Sequence, residues 1–444
     1  MTPSWDRRSA AALFGLLAPM IVAPSLRVAA QEPPTPPVEE KVIERVTLNQ
    51  AIEHALRASP QMAQAVGAVD NAGSARRVAI GAFLPTLSLG TGAAFASADR
   101  FGAAVPGGTQ TYSAGLSGGL DLFSGGRRIA DLRRAGAQQS AADARLLEQR
   151  FQVVLVTKRA YFDALQADDI VRVAEAAVRR AEDGLVAAER RVRAGVAAPS
   201  DELRARLART EARRLLAEGR TQQRVTAFAL GRMVGADGAV GPEPVAAAAP
   251  RSLGMREPDL RALVLQQAPS VRAAAADAGL AAAAASASRA AYLPSLRITG
   301  AYDWSAASAS INAGAANWSV GIGLSYPLFD NFRREDATQR ASVEADVARR
   351  RLDDVARAAR AELERTLAAL KLAEEEIALA NEAGEVARED LRVQQERYRV
   401  GTSTILDLTT SQLGVAQAEL ALVTARYDYE VARAELEALA GRRL

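Results

Sequence analysis

The sequence predicts an α+β membrane protein built by tandem duplication, each half joining a long antiparallel helical hairpin to a pair of β-strands. Three observations predict it. Landmark segments of the first half return in the same order in the second. Helical periodicity runs far beyond the length of an ordinary domain helix. Period-two apolar alternation appears in both halves beside the long helical stretches.

The duplication is read from paired segments. HALRASPQM (54–62) leads to AFLPTLSLGTG (82–92), as LVLQQAPSV (263–271) leads to AYLPSLRITGAY (291–302). DLFSGGRR (121–128) returns as PLFDNFRR (327–334), and RRVRAGVAAPSDEL (190–203) as ERYRVGTSTILDL (396–408). The expected organisation is a first repeat over 46–235, an inter-repeat linker at 236–257 and a second repeat over 258–444.

Ahead of the repeats, Arg7 and Arg8 precede an apolar run that ends near the small residues Val28, Ala29 and Ala30. A basic segment, an apolar segment and a small-residue site predict a secretory signal peptide at 1–30, followed by a Pro-rich linker at 31–45. No cysteine follows, so no lipid anchor is expected, and neither a disulfide framework nor a thiolate metal site is available.

The helical arms are expected from about 128 to 194 and from 334 to 400. Leu363, Leu370, Ile377, Gly384 and Leu391 fall seven apart, with Leu367 between, and Leu406, Leu413, Leu420 and Tyr427 repeat the interval on the return arm. Aromatic residues make up only 5% of the 444, so the apolar surface must be buried thinly, through alanine-lined helix contacts.

Strands are expected at about 84–97, 110–122, 294–305 and 316–328. Leu296, Ile298, Gly300, Tyr302 and Trp304 alternate with Ser295, Arg297, Thr299, Ala301 and Asp303. Trp318, Val320, Ile322, Leu324 and Tyr326 alternate with serines and glycines. The first half repeats this more weakly, with Leu87, Leu89 and Phe95 in one strand and Tyr112, Ala114, Leu116, Leu120 and Leu122 in the other. An apolar face ending in Tyr302, Trp304, Trp318 and Tyr326, opposite a polar face, suits a lipid-facing barrel wall. A soluble hairpin with one buried face would alternate too. Four strands close no useful barrel, and an open edge in lipid leaves backbone groups unpaired, so membrane-spanning strands must be pooled from several chains.

Gly195 and Gly401 stand where the arms must stop and reverse, a role for left-handed backbone. Ser200 and Asp201 follow the first, and Thr402, Ser403 and Thr404 the second, as candidate caps for the returning helices. Asp201 and Asp407 each lie six residues past the glycine, and the positive end of a helix dipole is reason enough for an acid there.

With its paired tips YRVGTSTILDL (398–408) and VRAGVAAPSDEL (192–203), the LPTL and LPSL segments, and the LF pairs before each arm, the chain resembles the TolC-like outer-membrane factors. These are the exit channels of tripartite efflux pumps and type I secretion systems. The resemblance implies a homotrimer in outer-membrane lipid, pooling four strands per chain into one β-barrel that a periplasmic α-barrel extends. It implies a periplasmic membrane-fusion adaptor protein as partner, docking on the tips at Gly195, Ser200, Gly401, Thr402 and Ser403, and an inner-membrane pump of RND, ABC or MFS type. It places Asp201, Tyr398 and Asp407 in the constriction that closes the periplasmic entrance. Ser403 stands where the family pattern has arginine, and Thr410 where it has an acid, which removes an arginine lock and leaves Asp407 as the expected constriction, with some cation preference.

Other chemistry is thin. His54 is the only histidine and reads as a helix-face residue; no catalytic residue, cofactor or metal site is expected. Acids interleave with arginines in helical runs, and 55 basic against 52 acidic residues give a net charge of +3, which offers nucleic acid little. No phosphate loop, nucleophile elbow or zinc signature appears, so an envelope enzyme is disfavoured. The runner-up is a soluble periplasmic coiled-coil scaffold without channel activity.

Overall fold

The computed structural model describes residues 44–96, 109–244, 254–307 and 314–444. The expected signal peptide and all but the last two residues of the Pro-rich linker lie outside them.

Chain order begins with β1 (Glu44–Val46), α1 (Leu48–Ala58) and α2 (Pro60–Gly81). Thr47 starts α1 with a capping box: its side chain accepts from Gln50 N, and the Gln50 side chain accepts from Thr47 N. Ser59 ends α1 and caps α2, with Pro60 in the first turn, where its missing N–H costs nothing. Then come β2 (Thr86–Ala96), β3 (Thr109–Ser124), the long α3 (Arg127–Arg193), α4 (Pro199–Val234) and β4 (Val240–Pro242). The second half follows the same plan: α5 (Glu257–Gln267), α6 (Pro269–Ser288), a 3-10 turn, β5 (Ser295–Ala306), β6 (Ala315–Ser325), α7 (Arg333–Val400) and α8 (Ile405–Ala440). At 67 and 68 residues, α3 and α7 are each about 100 Å long.

One antiparallel sheet has the order β2-β3-β5-β6, leaving β2 and β6 as its edges. Its register aligns Leu89, Leu116, Tyr302 and Trp318 in one row and Leu120, Ile298 and Ile322 in another. The opposite face aligns Ser88, Ser117, Ala301 and Ser319, with Ser88 Oγ and Ser117 Oγ 2.7 Å apart. The apolar face is uncovered: Leu89 is 76% and Trp318 77% exposed. Two expectations shift here. The register slips between Asp121 and Phe123, so Phe123, not Leu122, stands opposite Leu296; an extra residue inserted by the bulge defeats period-two counting. Tyr326 falls one residue past the end of β6.

The inter-repeat linker expected at 236–257 also contains structure. Its Val240–Pro242 pairs in parallel with β1, Glu44 opposite Val240, and Tyr161 Oη of α3 donates to the Glu243 carbonyl at 2.9 Å. Three-residue strands are too short to register as periodicity. Val46 and Val240 cover Tyr161, Phe162, Leu230 and Val234 in one core cluster. A second cluster packs Leu260 and Val264 of α5 against Leu363, Leu367 and Leu370 of α7 and Tyr429 and Leu436 of α8.

The heptad on α7 is buried at Leu363, Leu370, Ile377 and Leu391. On α8 the expected series is only partly buried. Leu406 and Leu413 are 57% and 53% exposed, Tyr427 is buried beside Phe162 of α3, and a second buried seam is Leu408, Val415, Leu422, Tyr429 and Leu436. This helix carries apolar residues every seven positions on two faces, and spacing alone does not say which face meets α7. α7 likewise has a second series, Leu372, Leu379, Val386, Val393 and Val400, that is exposed, Val393 least at 37%. Ion pairs tie the hairpins, among them Arg180–Glu419 at 3.0 Å and Arg365–Glu435 at 2.8 Å. No helix among the described residues is long and apolar enough to cross a membrane.

Candidate functional site: the paired helix tips

At the first tip, α3 ends at Arg193 and Gly195 takes φ +73°. Gly195 N donates to the Val192 carbonyl and Val196 N to the Arg191 carbonyl, both at 3.0 Å. At the second, Gly401 takes φ +90°; its N donates to the Tyr398 carbonyl at 3.2 Å, and Thr402 N to the Arg397 carbonyl at 2.9 Å. The two turns match bond for bond, a left-handed glycine closing the last carbonyls of each long arm.

The returning helices start differently. Asp407 N donates to Thr404 Oγ1 at 3.2 Å, while Asp407 Oδ2 accepts from Thr404 N at 3.0 Å and Thr404 Oγ1 at 2.8 Å. These bonds from Thr404, backbone first, hold the Asp407 carboxyl below its usual range. At the first tip the cap position is Ala198, with Pro199 opening the helix and no side-chain cap bond. Ser200 therefore does not cap α4, contrary to expectation, because Pro199 fixes the helix start ahead of it. Thr402 Oγ1 donates to the Arg397 carbonyl at 3.2 Å and Ser403 Oγ to the Thr404 carbonyl at 3.4 Å.

Tyr398 joins the tips. It is 4% exposed, in a cluster with Leu185, Ala188, Ala205, Ile405 and Leu408 drawn from all four long helices. The Arg191 guanidinium lies 4.7 Å from its ring centroid, and Arg191 Nη1 donates to the Tyr398 carbonyl. A residue of the first hairpin thus adds a second bond to one of the last carbonyls of α7, beside that from Gly401 N. Burial pushes the Tyr398 phenol up, Asp201 adds to this and Arg191 opposes it. Tyr398 Oη is buried without a hydrogen-bond partner among the described residues. Asp201, close enough to act on that phenol, also pairs with Arg204 at 4.0 Å. Asp407 is in its cap. The single chain therefore assembles Tyr398 with Arg191, a residue that sequence reasoning missed. The signal was present: Arg191 and Arg397 each stand four residues before a tip glycine.

On the sheet, Tyr302 lies opposite Leu116 and Trp318, and Trp304 opposite Ala114 and Ala316. His54 is an exposed residue of α1.

Comparison with known proteins agrees with this architecture. Protein CyaE of Bordetella pertussis is 28% identical over 357 residues, covering 77% of this chain and 72% of CyaE. The solved structure of CusC superposes with a TM-score of 0.78 at 17% identity, over 95% of this chain and 99% of that one. The open-state MtrE outer membrane channel of Neisseria gonorrhoeae gives 0.76 at 20% identity, over 89% of both chains. At such identities the structures establish the fold. The profile of the outer membrane efflux protein family matches residues 51–236 and 260–442, both halves of the duplication. The chain thus belongs to the outer membrane efflux protein family, whose members are export channels and not enzymes.

Proposed function

We propose that three copies of this chain form a passive exit channel in the bacterial outer membrane, serving a tripartite efflux pump or a type I secretion system. The observation that carries this is the sheet: four strands of 11 to 16 residues, long enough to span a bilayer, with an uncovered apolar face, a polar opposite face and two open edges. Lipid covers the apolar face, neighbouring chains pair the edges, and the polar face lines a wet lumen. The exposed series from Leu372 to Val400 on α7 supplies a second packing seam for the neighbour's helices, so the long arms continue the channel through the periplasm.

In this reading the tips are the periplasmic end. A membrane-fusion adaptor protein docks at Gly195, Ser200, Gly401, Thr402 and Ser403 and couples the channel to an inner-membrane pump, which supplies the energy. Asp201, Tyr398 and Asp407 lie at the constriction, where carboxylates from three chains favour cations.

The test is fractionation of the expressed protein, followed by detergent extraction and native mass measurement. A detergent-dependent trimer from the outer membrane is expected. A water-soluble monomer or dimer would return the strands to a buried hairpin and favour a periplasmic scaffold.

A further inference from the structure

The two halves of the duplication differ where the strands meet the helices. A cleft of about 590 Å³ lies between α2 and α3, lined by Arg76 and Ile80 of the first helix and by Leu132, Arg133, Gly136 and Asp143 of the second. Arg76 and Arg133 are exposed and have no hydrogen-bond or ion-pair partner among the described residues. Their neighbours do: Arg77 donates to Ser74 Oγ at 2.8 Å, and Arg134 pairs with Asp131 at 3.4 Å. Asp143 lies about 15 Å further along α3 than Arg133, which leaves the arginine end of the cleft positive. In the second half the matching positions are Ala285 and Gln339, so only the first half carries the arginine pair.

The cleft opens on the side of the sheet's apolar face. Arg127, the first residue of α3, reaches Asp121 at 3.9 Å, and Asp121 lies 3.7 Å from Arg297 on the polar face. At 3.6 residues per turn, Leu132, Gly136 and Asp143 stand on the opposite side of α3 from Arg127. Towards the sheet from the arginines, Ile80, Leu84 and Leu87 are exposed and lead onto the apolar face at β2. The 11 residues of β2, tilted as barrel strands are, cover a hydrocarbon core. Arg76 and Arg133, each within two turns of the sheet end of its helix, then fall at the headgroups. An apolar path that ends in two unpaired guanidiniums matches acyl chains above a phosphate, which guanidinium binds through parallel N–H bonds. We propose that this cleft holds an anionic phospholipid of the periplasmic leaflet, its phosphodiester between Arg76 and Arg133 and its acyl chains over Ile80, Leu132 and Leu84. This inference rests on the channel reading above and adds to it one specific lipid per chain, three per channel rather than six.

The test is native mass spectrometry of the full chain, stripped of lipid in detergent and titrated with phosphatidylglycerol. Absence of a trimer in the unmodified protein overturns the channel reading itself. Given a trimer, three lipids are expected to bind ahead of any others, and more tightly than phosphatidylcholine, whose headgroup carries no net charge. Six equivalent sites, or no preference for the anionic headgroup, overturn the proposal. Glycerophosphoglycerol, the same headgroup without acyl chains, is expected not to displace the lipid; displacement would give the arginines a soluble phosphate ligand and overturn the membrane one. These measurements use the unmodified protein and do not depend on how a variant folds. Arg76→Gln/Arg133→Gln trimers are expected to bind about tenfold more weakly or worse, the loss that follows from removing charge-assisted bonds. Arg77→Gln/Arg134→Gln trimers are expected to bind as the unmodified protein does. Equal binding by the two double variants overturns the assignment to Arg76 and Arg133.

Discussion

At the first tip α4 starts behind Ala198, whose side chain caps nothing, and opens with the rigid Pro199; at the second, α8 starts behind Thr404, locked to Asp407 by a capping box. The arms that lead in also differ. Val192 is half-buried where its counterpart Tyr398 is the buried centre of a cluster, covered by Arg191. Duplication has kept the turn itself, because a left-handed glycine is the cheapest way to end and reverse a helix. It has let the surrounding support diverge. The first tip is stiffened by its backbone, and the second is held by side chains that another hairpin can reach.

The difference is most easily broken at Tyr398. Tyr398→Ala removes a ring buried among four helices and is expected to cost about 3–5 kcal/mol, while Val192→Ala costs about 1 kcal/mol or less at its half-buried site. Amide hydrogen exchange of the detergent-extracted protein checks this: protection should fall across 391–408 in the first variant and change little around 192 in the second. Comparable losses at both tips would mean that the clamp is not what holds the second.

Next come the glycines. A β-branched residue at positive φ costs about 1–2 kcal/mol at either tip, but the sites are unequal. A β-carbon on Gly195 meets open space, whereas one on Gly401 lies 3.4 Å from Arg191 Nη2. Gly401→Val is therefore expected to disturb its tip more than Gly195→Val, and both are expected to leave the protein in the membrane while weakening capture by adaptor. Normal efflux by both variants would remove the docking role proposed for the tips.

A smaller contrast separates the caps. Thr404→Ala is expected to cost about 1 kcal/mol of helix-start stability, and Ser200→Ala close to nothing, since Ser200 makes no cap bond. Exchange rates in the first turns of α8 and α4 measure both. Equal effects would show that Ser200 caps α4 in the assembled protein.

These contrasts also mark what was legible in the sequence. The glycines, the long arms and the strand alternation are backbone-level features with fixed periods, and they were read within a few residues of their observed limits. Thr404 was one of three candidate caps, and choosing among them needed the register of the helix start. Ser200 was misread because Pro199 had already fixed where α4 begins. The return-arm heptad was misread at Leu406 and Leu413, though not at Tyr427, because α8 has two apolar faces, and the neighbour that settles the choice is distant in sequence. Arg191 shows the same limit more sharply. It sits in an arginine-rich run whose members look alike until the fold brings it across 207 residues to Tyr398.

The mildest effect is electrostatic and separates the two tip aspartates. Bonds from Thr404 hold the Asp407 carboxyl below its usual range, so its folded pKa lies under its unfolded one. Such a group adds stability that is complete above the unfolded value, about 4, and is lost as pH falls through the folded value. Asp407→Asn removes the charge while keeping an acceptor oxygen. The protection that the unmodified protein holds over this variant at residues 404–410 should therefore be present at neutral pH and shrink as pH falls below about 4. The site is exposed, so added salt should shrink it as well. Asp201 takes no part in a cap, and Asp201→Asn is expected to change protection of 199–205 little. An Asp407 difference that persists unchanged in acid would assign the effect to shape rather than charge, and the second tip would then be held by geometry, as the first is.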